Sequence, residues 1–550
     1  MIKDGTYQGS AQGHNANIEV TVSVKNSQIS AIKVTDHQET ALLSDNALKL
    51  IPEKIVANQS TAVDAITGAT FTSNGILNAT RAALTDAGAE TTDYSTPEKI
   101  TKKEHEINTD VVVLGSGLAG LNAAITAKEK GADVVLIEKT GRLGGNSVVS
   151  GGFMYATGSK FNKEQDNDPE NLLQFYEDFA QKDGGEIDHD LVKTIADNSG
   201  AAVDYYADKY GVEFSAMPLG ISKKPRTHIN FKLGPVAIMA PLLKRIEELQ
   251  IPVLYDQSSE EIKTDNHQIT GVVTVGKYDD YNITCKSVVI AVGGFDGSRK
   301  TRDKYAPSAK GTRSMSTPYN DADYLKLTES LHAASEFKDG VMGIMTANYL
   351  SVGGAANSLV VLGRTLAVNN LGKRFTKEGQ HYSLMYNDAL KSDGNRFFWI
   401  FDKDNESYKV AANLPEAKNC TSLDDVAQVV GCDKQVIRET VSRYNSFAGK
   451  EDSDFGRDDI KPIAQEGPYY VIEGYPTTVA GFGGLKINTN AQVLDISNKP
   501  IAGVYAAGES ATGQIFVHTY PSTGTMLTTC TVFGRIAGNN AASYAKNTAL

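Results

Sequence analysis

The feature that most constrains this chain is a glycine-rich turn between an apolar strand and a helix. Thr109-Asp110-Val111-Val112-Val113-Leu114 is a short run suited to a fully buried parallel strand. It leads directly into Gly115-Ser116-Gly117-Leu118-Ala119-Gly120, an alanine-rich helical pattern follows, and a second apolar run, residues 133–137, ends on Glu138. Gly115 permits the tight turn. Gly117 lets the backbone approach a pyrophosphate, with Ala119 in the same turn, and Gly120 allows close helix packing. The helix N-terminus attracts the negative charge, and Glu138 is placed to bind ribose hydroxyls. A glycine triplet alone marks only a turn. With strands, helix and carboxylate at these offsets it specifies a dinucleotide-binding βαβ unit.

At 550 residues the chain exceeds a single hydrophobic core, so several domains are expected. Upstream of the glycine motif the pattern is different. Ile18, Val20, Val22 and Val24, then Ile29, Ile32 and Val34, are separated by Lys25-Asn26-Ser27, which predicts a hairpin with one buried face. A helix is expected over 41–57. Residues 93–108, rich in Thr, Lys and Glu, read as a linker. The net charge of −12 leaves no basic stripe for nucleic acid. Four scattered cysteines offer no C-x-x-C spacing, which argues against a cysteine-ligated cluster, and no metal site is expected. No window is apolar enough for a membrane span, and the opening Met1-Ile2-Lys3-Asp4 lacks a signal-peptide pattern, so a cytoplasmic protein is expected.

After Glu138 the sequence continues Lys139-Thr140-Gly141-Arg142-Leu143-Gly144-Gly145-Asn146-Ser147, then Ser150-Gly151-Gly152. This resembles the segment that wraps FAD in the fumarate-reductase and 3-ketosteroid Δ1-dehydrogenase superfamily. Further matches are the strand 287–292 leading to Gly293-Gly294, and Gly503-Val504-Tyr505-Ala506-Ala507-Gly508-Glu509. In this family the carboxylate at Glu509 grips the ribityl chain. Met526 and Leu527 match positions whose N–H groups face the pyrimidine edge, and Asp321 lies in a weaker Gly-Asp-Gly match. The resemblance implies FAD, and no histidine, cysteine or tyrosine lies within Gly144–Gly152 to tether it, so non-covalent FAD is expected. It covers residues 109–545.

Asp64-Ala65-Ile66-Thr67-Gly68-Ala69-Thr70 resembles the flavinylation motif of FMN-binding domains, which implies FMN esterified to Thr70 by a flavin transferase. The fold class expected is therefore α/β and α+β multidomain. A small α+β FMN-binding domain (1–92) and a linker (93–108) precede a Rossmann-like FAD-binding domain (109–335 and 482–550) with an inserted capping domain (336–481). Two flavins imply a wire from an external donor, an NAD(P)H-linked flavin reductase or reduced flavin, through FMN to FAD.

At the catalytic positions the chain departs from fumarate reductases. Leu371-Gly372-Lys373-Arg374-Phe375-Thr376-Lys377-Glu378 aligns with the family, but the proton-donating arginine falls on Tyr382. A histidine falls on Ala480 and a carboxylate-binding arginine on Pro521. The dicarboxylate clamp is absent. Tyr520-Pro521-Ser522-Thr523-Gly524 instead resembles the Tyr-Pro-x-x-Gly of ketosteroid dehydrogenases. There the tyrosine hydroxyl and the glycine N–H hold a carbonyl and a tyrosine at the place of Tyr382 handles the proton. His381 and His518 read as structural. These residues imply an ene-reductase acting on a neutral, aromatic or steroidal alkene. The alternatives are a fumarate-, urocanate- or cinnamate-type acid reductase gripping its carboxylate through Arg313 or Lys373, a ketosteroid dehydrogenase, and, outside catalysis, a flavin electron carrier.

Overall fold

The computed structural model describes residues 2–90, 94–97, 102–162, 168–218, 224–265, 268–347, 365–392, 396–405, 407–414 and 416–548. The N-terminal unit is an antiparallel meander of Gly5–Gln12, Asn17–Lys25 and Gln28–Asp36. Ile18, Val20, Val22 and Val24 all point to one buried face. They pack on Ile51 and Ile55 of the helix Asp45–Asn58 and on Ile76, Ala79 and Ala83 of the helix Thr70–Asp86. The turn falls at Asn26 and Ser27, both with positive φ (55° and 58°), the geometry that matches strand twist in a two-residue hairpin.

The second unit is built on a six-stranded sheet in the order Val253–Leu254, Val134–Ile137, Val111–Leu114, Ser287–Ile290, Pro500–Ala506, Gln492–Leu494. The first five strands are parallel and the last is antiparallel. Val111–Leu114, Val134–Ile137 and Ser287–Ile290 are buried at every position, as strands covered on both faces must be. The helices Leu118–Glu129 and Thr525–Asn547 pack on this sheet and on each other. A four-stranded sheet lies alongside, and its edge strand is Lys103–Asn108, paired in parallel with Asp279–Thr284. The segment expected to be a linker thus ends in a strand. Its sequence, Lys-Glu-His-Glu-Ile-Asn, has the charge that an exposed edge favours and that hides it from a hydrophobic reading.

The capping unit is organised by one long strand, Tyr469–Leu485. This strand pairs with Ser335–Thr346 and Phe397–Asp402, and Leu366–Asn369 adds on beyond. The strand runs through position 481/482 without a break, so it joins the cap to the FAD-binding unit. Arg374 is fixed inside the cap by Glu378 at 2.7 Å and Asp452 at 2.9 Å. Among the described residues no helix is long and apolar enough to cross a membrane, and no cluster of His, Cys, Asp and Glu is arranged to hold a metal ion.

Candidate active site

The strand Val111–Leu114 delivers Gly115 with φ +92°, and a Cβ there would lie 2.2 Å from the Ala291 carbonyl oxygen. Only glycine fits this turn. Gly117 opens the helix Leu118–Glu129, Ser147 Oγ accepts the Leu118 N–H at 3.1 Å, and Gly117, Leu118 and Ala119 face a cleft. Ala119, Gly145, Asn146, Ser147, Gly293 and Lys139 line the same cleft. Gly120 packs on the Gly115 carbonyl, and Gly144 ties its loop back through its N–H to Ser116 Oγ at 3.0 Å. Gly151 and Gly152 lie beyond this lining, Gly152 packed against Gly234 and Pro235. Glu138 accepts the N–H of Ser116 at 3.2 Å and the N–H of Thr140 at 2.8 Å, which fixes its carboxylate at the cleft wall. A helix N-terminus, a glycine floor and a fixed carboxylate fit the pyrophosphate and ribose of FAD.

At the other end of the cleft, burial and then the charge of Asp296 push the Glu509 carboxyl up to about 8. A protonated Glu509 can donate to a ribityl hydroxyl and accept from another. Asn320 positions it, donating Nδ2 to Glu509 and to Asp296, each at 2.9 Å. Asp296 is itself held by Ser314, Ser316 and Thr478. The neighbour named from sequence, Asp321, pairs with Lys139 at 3.6 Å and is not among the cleft-lining residues. Asn320, beside it in sequence, lines the cleft. No local motif marks this network, because its members are spread from 296 to 509.

The loop before Thr525–Asn547 brings the tyrosines together. Tyr520 is buried between Phe482 and Phe516, its ring centroid 6.0 Å from each, and its phenol oxygen accepts the Met526 N–H at 2.6 Å. The Met526 N–H is thus spent on Tyr520. Leu527 stays in the first helical turn, where N–H groups lack intrahelical partners. Gly524 has φ +101°, and a Cβ there would strike the Met154 backbone at 2.6 Å. Tyr382 opens the helix Tyr382–Lys391, and Thr523 Oγ1 donates to its phenol oxygen at 3.2 Å. Burial raises both phenols above their ordinary range, so both are protonated at neutral pH.

His381, read from sequence as structural, joins this group. Its Nε2 lies 3.3 Å from Thr523 Oγ1, and its Nδ1 lies 2.8 Å from Ser383 Oγ. Ser383 Oγ in turn reaches the Tyr520 carbonyl at 3.1 Å. Burial pulls His381 down to about 3, so the imidazole is neutral. His518 is exposed and stands apart. Arg313 stacks on Tyr475 at 3.4 Å and Lys373 is exposed. Arg226, which sequence reading passed over, is buried behind this loop: Thr227 Oγ1 donates to the Thr523 carbonyl at 3.3 Å, and the Arg226 charge acts on Tyr176, whose hydroxyl meets Thr525 Oγ1 at 3.3 Å.

Thr70 is the exposed first residue of its helix, and the helix N-cap, Ala69, offers no side-chain cap. An uncapped N-terminus at an exposed hydroxyl fits a phosphoryl ester.

These features define a flavoprotein with two flavin-binding units. The chain belongs to the FAD binding domain family, whose sequence pattern matches residues 110–527, and the FMN-binding domain family matches residues 13–85. It is a flavin-dependent oxidoreductase with FAD and covalent FMN as its cofactors. The urocanate reductase of Eggerthella lenta is 28% identical over 570 residues, covering 98% of this chain and 92% of that protein. The open conformation of a flavocytochrome c3 fumarate reductase superposes with a TM-score of 0.69 at 28% identity, covering 80% of this chain and 79% of that one. A 3-ketosteroid-Δ4-(5α)-dehydrogenase from Rhodococcus jostii RHA1 shares the fold, with a TM-score of 0.65 at 23% identity over 79% of this chain and 97% of that one.

Proposed function

We propose that this chain reduces the C=C bond of an α,β-unsaturated acid, a monocarboxylate with an extended or aromatic body. The observation that carries the reading is the convergence of two protonated phenols, the partly buried Tyr382 and the buried Tyr520, on the Thr523–Met526 turn. Cys530, one turn further along the same helix, lines the dinucleotide cleft, so the phenols flank its end. FAD held in the cleft would supply the electron pair, as hydride to the β-carbon. Tyr520 hydrogen-bonds the substrate carbonyl through its hydroxyl without giving up the proton, and Gly524 N–H joins it, so that charge developing on that oxygen is met by preorganised donors. Tyr382 protonates the α-carbon. Its proton is replaced through Thr523 Oγ1–H, which takes a proton from His381 Nε2–H while a proton from solvent restores the imidazole.

The acid class is supported by the kinship with urocanate and fumarate reductases and by the buried positive charge of Arg226 behind the site. Tyr382, Ala480 and Pro521 supply no guanidinium or imidazole, which argues against a dicarboxylate. The same absence favours a second reading, a neutral enone or vinylphenol as substrate.

Anaerobic assays with a reduced low-potential dye separate the two. Urocanate, cinnamate, acrylate and fumarate are compared with the methyl esters of the same acids and with enones. The acid reading expects a monocarboxylate to exceed its ester by at least about a hundredfold in kcat/KM, since a buried carboxylate interaction is worth several kcal/mol. Preference for the ester or an enone overturns it in favour of the second reading. Brisk turnover of fumarate contradicts both.

A further inference from the structure

The loop that carries Thr70 is seated on the FAD-binding unit. The Gly141 N–H donates to the Thr67 carbonyl at 3.3 Å, and Asn46 Nδ2 donates to the Gly141 carbonyl at 2.6 Å. Asp64 of the flavinylation motif pairs with Lys277 and accepts the Tyr278 hydroxyl at 3.2 Å. Gly68, two residues before Thr70, forms part of the dinucleotide cleft wall, and a Cβ there would lie 2.8 Å from Arg142 Nε. Arg142 lines the cleft as well. It stands between the two flavin sites.

The Arg142 charge has no ion-pair partner among the described residues. Nη1 reaches only the carbonyls of Leu143 and Gly145, at 3.4 and 3.3 Å, and Nε is buried without a hydrogen-bond acceptor. Glu138 favours the charge from a distance, but its oxygens already serve Ser116 and Thr140. Desolvation draws the guanidinium below its ordinary value. A cation held this way is costly unless an anion meets it. The Thr70 ester would place a phosphodiester two residues beyond Gly68, at a helix N-terminus that no side chain caps.

We propose that Arg142 is an anion bridge between the flavin sites: it binds the phosphodiester of FMN on Thr70 and so clamps the FMN-binding unit over the Glu138 end of the FAD cleft. Flavinylation of Thr70 then slows the escape of FAD. The inference rests on the Thr70 ester and is independent of the alkene chemistry.

The full-length chain is produced with and without the flavin transferase, as wild type and as Arg142→Gln, and mass spectrometry establishes FMN content first. FAD release is followed by its fluorescence after dilution into an FAD scavenger. Wild type carrying FMN is expected to release FAD roughly tenfold more slowly than unmodified wild type, a usual size for coupling between two sites. In Arg142→Gln the two forms should release FAD at the same rate. Lys277→Ala, at a half-exposed position outside the FAD cleft, provides a second variant and should also shrink the ratio. Equal rates for modified and unmodified wild type overturn the proposal. So does an undiminished ratio in Arg142→Gln, which would mean that the guanidinium serves FAD alone, and so does an undiminished ratio in Lys277→Ala.

Discussion

The backbone N–H of Met526 is donated to the phenol oxygen of Tyr520 at 2.6 Å. That bond occupies a lone pair of the oxygen and leaves the phenol's own proton for another acceptor. Tyr520 is therefore held as a donor, fixed by the helix that carries Met526. Tyr520→Phe removes the donor with little change in shape. Turnover is expected to fall roughly 10²–10³-fold, the usual cost of one oxyanion donor, with FAD content unchanged. Steady-state kinetics with the best alkene and a flavin absorbance spectrum check this; turnover near wild type would remove Tyr520 from the site.

Thr70 carries its FMN through a covalent bond, whereas the FAD cleft holds its ligand by backbone, carboxylate and helix dipole. Acid precipitation is expected to release FAD and leave FMN on the chain. Thr70→Val should lose one FMN moiety in intact mass and keep FAD. Retention of both flavins in the precipitate would contradict the assignment.

Glu509 gives a pH dependence whose sign follows from its surroundings. Its folded carboxyl is pushed up to about 8, above the ordinary 4.5. The folded state thus binds this proton more tightly than the unfolded chain does. The contribution is full below the ordinary carboxyl range and is lost as pH rises through about 8, by at most about 1.4 kcal/mol per pH unit. Glu509→Gln keeps the shape and removes the titration. Between about pH 5 and 8 the melting temperature of wild type should fall with rising pH more steeply than that of Glu509→Gln. Parallel curves would show that Glu509 is ionised in the fold.

How far the sequence could be read depended on how local each feature is. Gly115, Gly117 and Glu138 lie within one βαβ unit, so turn, helix start and second strand could be read together. Thr70 was legible for the same reason. Asn320 was not singled out beside Asp321 because its contacts with Asp296 and Glu509 form only in the folded chain. Lys103–Asn108 was read as a linker because an edge strand carries charge where a central one carries valine. Arg142 lay inside a recognised loop, yet nothing in that loop announces that Gly68, 74 positions earlier in sequence, will rest against its guanidinium.

The proton path at Tyr382 makes the sharpest claim about chemistry. Thr523 Oγ1 lies 3.2 Å from the Tyr382 oxygen and 3.3 Å from His381 Nε2, so one hydroxyl connects acid and imidazole. Tyr382→Phe removes the acid and should lower kcat by about 10²–10⁴ while leaving the rate of FAD reduction by dye unchanged. Thr523→Val is nearly isosteric and cuts the relay while keeping Tyr382. If Thr523 carries the replacement proton, the first turnover should proceed near the wild-type rate and later ones should slow, with an enlarged solvent deuterium isotope effect on kcat. His381→Gln should reproduce that pattern, because an amide can hold Thr523 in place but cannot pass a proton in the same way. A structural role alone would slow the first and later turnovers alike. Single-turnover and steady-state rates measured in H₂O and D₂O distinguish the two, and equal slowing of both phases would leave Tyr382 drawing its proton from solvent.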